Sequence, residues 1–108
     1  MTQGSDGNKV AKVLVKVDPD LADLIPGFLE NRRKDITAML AALDRGDFET
    51  VRILGHSMKG AGGGYGFNAV TEIGAALEQA AKNQDRGTVR ALVDGLGAYL
   101  DRLEVVCE

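Results

Sequence analysis

The sequence predicts an all-α protein, an antiparallel up-and-down four-helix bundle with a short extended or helical N-terminal extension. Three observations carry this reading. Apolar residues recur at helical spacing in four successive segments; connections of about two to six residues separate them; and no strand alternates with a helix as it would in a parallel nucleotide-binding sheet. With 108 residues, 44% of them hydrophobic and 27% charged, the chain has material for one domain with a modest core.

Residues 1–9 are polar and aperiodic and are read as a disordered leader, with residues 10–108 as the folded domain. The β-branched run at 10–17, VAKVLVKV, is expected to lie extended along the bundle without forming a regular sheet, since it has no second strand to pair with. Asp18-Pro19 opens the helical part: the carboxylate can cap free N–H groups, and proline suits a first helical position because its missing N–H loses no bond there. Pro26 divides a short first turn, ending near Ile25, from a main helix carrying Phe28, Leu29, Ile36, Met39, Leu40 and Leu43. Arg32 falls on that apolar stripe, so its stem is expected to pack while its head reaches water at one end of the bundle. Gly46 ends this helix. Asp47 caps the second, Asn68 is expected to cap the third, and Asp85 opens the fourth. The fourth stripe, Val89, Leu92, Leu96, Tyr99, Leu100, Leu103 and Val106, predicts a helix running through residue 106, with Gly95 and Gly97 marking a close helix contact.

Thirteen basic and 16 acidic residues give a formal net charge of −3, which offers nothing to a nucleic acid. No segment approaches the roughly 18 apolar residues of a membrane span, and no apolar run follows a basic cluster at the start. The single cysteine, Cys107, matches no metal-ligand spacing and can form no internal disulfide. A cytoplasmic monomer without a metal of its own is expected.

Chemistry concentrates around the only histidine, in Leu54-Gly55-His56-Ser57-Met58-Lys59-Gly60-Ala61-Gly62-Gly63-Gly64-Tyr65-Gly66-Phe67. On a helical wheel at about 100° per residue, Val51, Leu54, Gly55, Met58, Gly62 and Tyr65 share one arc, and His56 lies roughly 150° from its centre. The imidazole therefore points outward, in company with Arg52, Lys59, Gly60 and Gly63. Glycine inside a helix is unfavourable, so two of them beside an exposed histidine suggest space cleared for another molecule. Lys59, three residues on, stands next to His56 on the helix surface, where an ammonium would favour the neutral ring and stabilise an arriving anionic group. Ile53, roughly 60° from His56 on the wheel, is an apolar side chain expected at the surface and could form the apolar part of an interface whose polar part is Arg52 and Lys59.

These residues resemble the histidine-containing phosphotransfer (HPt) domain family of bacterial multistep phosphorelays. The pattern H-x-x-K-G followed by a glycine ten residues after the histidine is matched by His56, Lys59, Gly60 and Gly66. The likeness extends through Asp18-Pro19, Phe28-Leu29-Glu30, Asp47-Phe48, Ile73 and Leu77-Glu78, over about residues 17 to 105. The resemblance implies a phosphocarrier rather than an enzyme. His56 would accept a phosphoryl group from the aspartate of one receiver domain and pass it to that of another. It also implies that Lys59 helps hold phosphate, that Gly60 lets the receiver approach, and that Glu78, on the following helix, lies near the histidine. The magnesium ion would belong to the receiver, and a hybrid sensor histidine kinase would stand upstream. The run Gly62-Gly63-Gly64 departs from the family's usual alanine, serine or threonine and predicts a weakened end to the second helix.

Other chemistries fit less well. A P-loop needs its lysine after the glycines, whereas Lys59 precedes them, and Ser57 cannot face His56 from the adjacent helical position. A four-helix adaptor that is never phosphorylated, and a substrate domain phosphorylated directly by a histidine kinase, remain as alternatives.

Overall fold

The computed structural model describes residues 12–107, so the leader at 1–9 lies outside the described residues. Strand β1 (Val13–Val17) leads into a 3₁₀ helix (Pro19–Leu24), followed by α1 (Ile25–Asp44), α2 (Phe48–Tyr65), α3 (Asn68–Lys82), α4 (Arg86–Arg102) and strand β2 (Leu103–Cys107). The chain is an all-α four-helix bundle in which α1 packs on α2 and α4, and α3 on the same two helices from the other side.

Local chemistry sets most boundaries. Asp18 accepts a hydrogen bond from the Asp20 amide at 2.9 Å, and Pro26 sits in the first turn of α1, where no N–H is missed. The same cap is used twice: Asp47 accepts from the Thr50 amide at 3.0 Å and Asp85 from the Thr88 amide at 3.1 Å, each carboxylate also taking the threonine hydroxyl. Asn68 does not cap α3. Phe67 holds the cap position without a side-chain bond and is fully buried, its ring stacked on Phe28 at 5.0 Å between centroids. The left-handed backbone at Gly66 (φ 84°) turns the chain so that this phenylalanine faces inward. Despite three consecutive glycines, α2 runs unbroken to Tyr65, and the Phe67 amide closes onto the Gly62 carbonyl at 2.9 Å.

The core is made of the expected stripes, with Met39, Ala42, Val51, Met58, Val70, Leu77, Val89 and Leu96 all at 0% exposure. Among the described residues, Arg32 is the one charged residue that is buried. Its stem packs as expected, leaving the side chain 10% exposed: the guanidinium lies 4.8 Å from the Phe28 ring centroid and donates from Nε to Asp35 at 2.8 Å. A carboxylate one turn away and an aromatic face partner the charge.

Two expectations fail at the ends of the chain. The fourth helix stops at Arg102, where Leu103 turns extended (φ −71°, ψ 132°), and residues 103–107 form a strand rather than another helical turn. That strand is the partner β1 lacked: the two pair in parallel, from Val13 with Leu103 to Val17 with Cys107. Parallel strands need a long crossover, and here it is the whole bundle. Val13, Val15 and Val17 turn toward the core while Leu14 is 66% exposed.

The closest helix contact also differs from expectation. Gly95 has open space around it, and Gly97 has only Ile36 Cδ1 at 3.8 Å from where a Cβ would stand. The tight contact lies instead between α2 and α3. A Cβ on Gly74 would stand 2.6 Å from the Lys59 amide nitrogen, and one on Gly55 would stand 2.9 Å from the Glu78 nitrogen and the Gly74 carbonyl. Gly62 is closed in equally by Thr71, whose hydroxyl donates to the Lys59 carbonyl at 3.1 Å. Backbone atoms cannot yield as side chains do, so Gly74→Ala should force the helices apart and cost about 1–3 kcal/mol. Urea unfolding would measure this, and unchanged stability would show that α3 can shift without penalty.

Candidate functional site

Helix α2 buries Val51, Gly55, Met58 and Gly62, and the opposite face carries His56, whose side chain is 66% exposed. Burial of that arc against the bundle is what aims the imidazole outward. Helix α3 buries Leu77 completely, and the next residue, Glu78, emerges at the seam between α2 and α3 with a side chain only 13% exposed. Because Gly55 and Gly74 bring the two backbones together, Glu78 starts directly beside the helix that carries His56.

Its carboxylate serves both neighbours. Oε2 stands 3.1 Å from His56 Nδ1, Oε1 stands 3.1 Å from Lys59 Nζ, and Lys82 Nζ lies at 4.0 Å from Oε2, the outer limit of an ion pair. The hydrogen bond from Lys59 holds the Glu78 carboxyl below the usual carboxylate range, and that from His56 adds to the effect, together outweighing the opposing influence of desolvation. An ionised carboxylate only accepts hydrogen bonds, so the proton of a neutral imidazole belongs on Nδ1. That leaves the lone pair on Nε2, the nitrogen not engaged by Glu78.

The remaining sequence-derived residues lie around this centre in different ways. Ile53 is 52% exposed, and Gly60 has no atom within 4 Å of where its Cβ would be, so both face open space beside the histidine. Gly63 is exposed, with the Thr71 hydroxyl 3.8 Å from a would-be Cβ. Arg52 is a neighbour on the helix but its guanidinium is engaged elsewhere: Nε donates to Glu49 at 2.9 Å and a second nitrogen binds the other carboxylate oxygen. Sequence reasoning missed three contributors. Gly55 and Gly74 set the approach of the helices, and Thr71 ties the turn carrying Lys59 to α3. The small residues at 55, 62 and 74 were the available signal, since each falls on a core-facing position where a side chain is otherwise expected.

Among the described residues, no group of three or more His, Cys, Asp or Glu could hold a metal ion, and no helix is long and apolar enough to cross a membrane. A family model described as "Hpt domain" matches residues 23–105, most of the chain and all of the residues named here. No curated protein and no solved structure matches.

A carboxylate with a depressed pKa stabilises the fold above its unfolded-state value, and that contribution is lost as pH falls through the folded-state value. The unfolding free energies of the wild type and Glu78→Gln should therefore differ most near neutral pH and converge in acid. Carboxyl NMR titration should place Glu78 below its ordinary value of 4.5 in the wild type and move it upward in Lys59→Ala. An unchanged titration in that variant would show that the lysine is not the principal cause.

Proposed function

For a chain that belongs to the Hpt domain family, we propose that it is a phosphocarrier in which His56 Nε2 takes a phosphoryl group from the aspartyl phosphate of one receiver domain and gives it to the aspartate of another. The observation that carries this reading is the single carboxylate, Glu78, bonded at once to His56 Nδ1 and Lys59 Nζ beneath an exposed imidazole.

The arrangement supplies what the transfer needs from this side. The Nε2 lone pair attacks phosphorus, the bond from phosphorus to the aspartate oxygen breaks, and the aspartate leaves as a carboxylate with the electron pair. The ring, still protonated on Nδ1, gains a positive charge that the Glu78 carboxylate offsets. The reverse sequence returns the group to a second receiver. Lys59 stands one helical turn from His56 and can swing from Glu78 toward phosphoryl oxygens. Gly60, with nothing around it, leaves room for the receiver's backbone, and Ile53 offers it an apolar contact. Magnesium and the acidic pocket are contributions of the receiver in this scheme, so the carrier needs no cofactor of its own. A hybrid sensor kinase as the upstream donor, a monomeric state and a cytoplasmic setting are parts of the same proposal. A docking adaptor would have no use for a nucleophile whose free nitrogen is set by a buried-edge carboxylate.

Three variants test the roles separately. His56→Gln should abolish labelling by a phosphorylated receiver, and the wild-type label should be acid-labile, as phosphohistidine is. Lys59→Ala should slow transfer by roughly tenfold, about 1.4 kcal/mol in the barrier, with little loss of stability. Glu78→Ala should reduce transfer while Glu78→Gln, which can still accept from Nδ1, retains more of it. Undiminished labelling of His56→Gln would end the proposal.

A further inference from the structure

One helical turn before His56 on α2, and one turn after Glu78 on α3, an open cleft of about 480 Å³ lies at the end of the bundle between the α1–α2 and α3–α4 turns. Phe48 and Ala81 give it apolar walls, Arg52 and Lys82 stand on the side toward the histidine, and Gly46 and Gln84 come from the two turns. Resting on the phosphocarrier reading above, we propose that this cleft is a specificity site for the receiver, which it engages through a loop side chain that combines an apolar stem with a carboxylate.

The charge balance favours an acidic visitor. Glu49 in the cleft is matched by Arg52, and Asp47 by Thr50 and Arg45. Glu78, by contrast, is one carboxylate facing two ammonium groups, Lys59 at 3.1 Å and Lys82 at 4.0 Å. The nearer lysine makes the closer ion pair, and Lys82, a lining residue of the cleft with a side chain 52% exposed, stands at the outer limit of one. A carboxylate arriving there would complete the balance, and the apolar walls would cover its stem.

Gln84 is the one non-glycine among the described residues with positive φ, at 53°, in a turn where glycine or asparagine would be unstrained. The corresponding position in the α1–α2 turn is occupied by Gly46, at φ 70°. The left-handed turn ends α3, with the Gln84 amide bonded to the Ala81 carbonyl and the Asp85 amide to the Ala80 carbonyl at 3.0 Å each, and it leaves at the lining of the cleft a side-chain amide able both to donate and to accept. The site is continuous with the face of His56, so a receiver seated over the imidazole can reach it with no rearrangement of the bundle.

The experiment separates the nucleophile from the cleft. Phosphoramidate, a small donor that needs no docking surface, labels His56 directly, and a panel of purified receiver domains charged with acetyl phosphate in magnesium reports on recognition. The expected result is that Gln84→Gly keeps wild-type labelling by phosphoramidate and melts no lower than the wild type, yet binds and exchanges phosphate with the receivers that use the wild type several-fold more weakly. Lys82→Gln should weaken the same receivers by roughly tenfold at low salt and less at high salt. Wild-type receiver affinity in both variants would overturn the cleft and leave the phosphocarrier reading standing. Absence of phosphoramidate labelling in the wild type, or of exchange with every receiver, would overturn the phosphocarrier reading itself and the cleft with it.

Discussion

The approach of α2 to α3 through glycine is the constraint on which the site depends. Gly55, Gly62 and Gly74 stand where a Cβ would meet backbone atoms of the other helix at 2.6 to 2.9 Å, a separation no real side chain tolerates. With that contact, the Cα of Glu78 starts beside the helix bearing His56, and a side chain of only three carbons suffices to set a carboxylate between His56 and Lys59. Were the helices held at the usual 8–10 Å of leucine-lined packing, the same glutamate would extend into water and each of the three groups would be solvated alone. Thr71 reinforces the contact by donating to the carbonyl of Lys59, so the turn that carries the lysine is fastened to the helix that carries its partner.

The electrostatics follow from that geometry. A carboxylate with two hydrogen-bonded neighbours stays ionised, and an ionised carboxylate can only accept, which assigns the proton of a neutral imidazole to Nδ1 and leaves the lone pair on Nε2. The lysine is restrained by the carboxylate yet free to leave it, because its side chain is 41% exposed. The imidazole is held by a carboxylate on one side and has open space on the other, at Gly60, so it can be approached from outside the bundle. The rest of the bundle serves as a mount: the buried arc of α2 and the Leu77 face of α3 hold the two backbones while contributing no reactive group.

Much of this was legible in the residues. The four helices, their aspartate caps at 47 and 85, the outward position of His56 and the adjacency of Lys59 follow from spacing along single helices, where sequence distance and spatial distance are tied by 3.6 residues per turn. The motif around His56 pointed to the HPt family, and the match over residues 23–105 places the chain there. Glu78 was placed near the histidine by the family resemblance and not by spacing, since its partners lie 22 and 19 positions earlier in the chain.

Tertiary structure decided what depends on distant partners. The pairing of Val13–Val17 with Leu103–Cys107 joins segments 90 residues apart, so nothing local marks the end of α4 at Arg102, and a heptad-like spacing read through Val106 as helix. Which glycines lie in a helix contact was legible only in part: 55 and 74 fall on core-facing positions, but how closely the helices approach there is set by the facing backbone. Arg32 was placed on its stripe by periodicity, but its burial required Phe28 and Asp35 to close around the guanidinium. The sequence by itself determined the helices, their faces and the outward position of the histidine, because these are set by residues within a turn or two of one another. The division of one carboxylate between histidine and lysine was decided by packing, because it depends on the distance between two helices, a quantity that no single helix encodes.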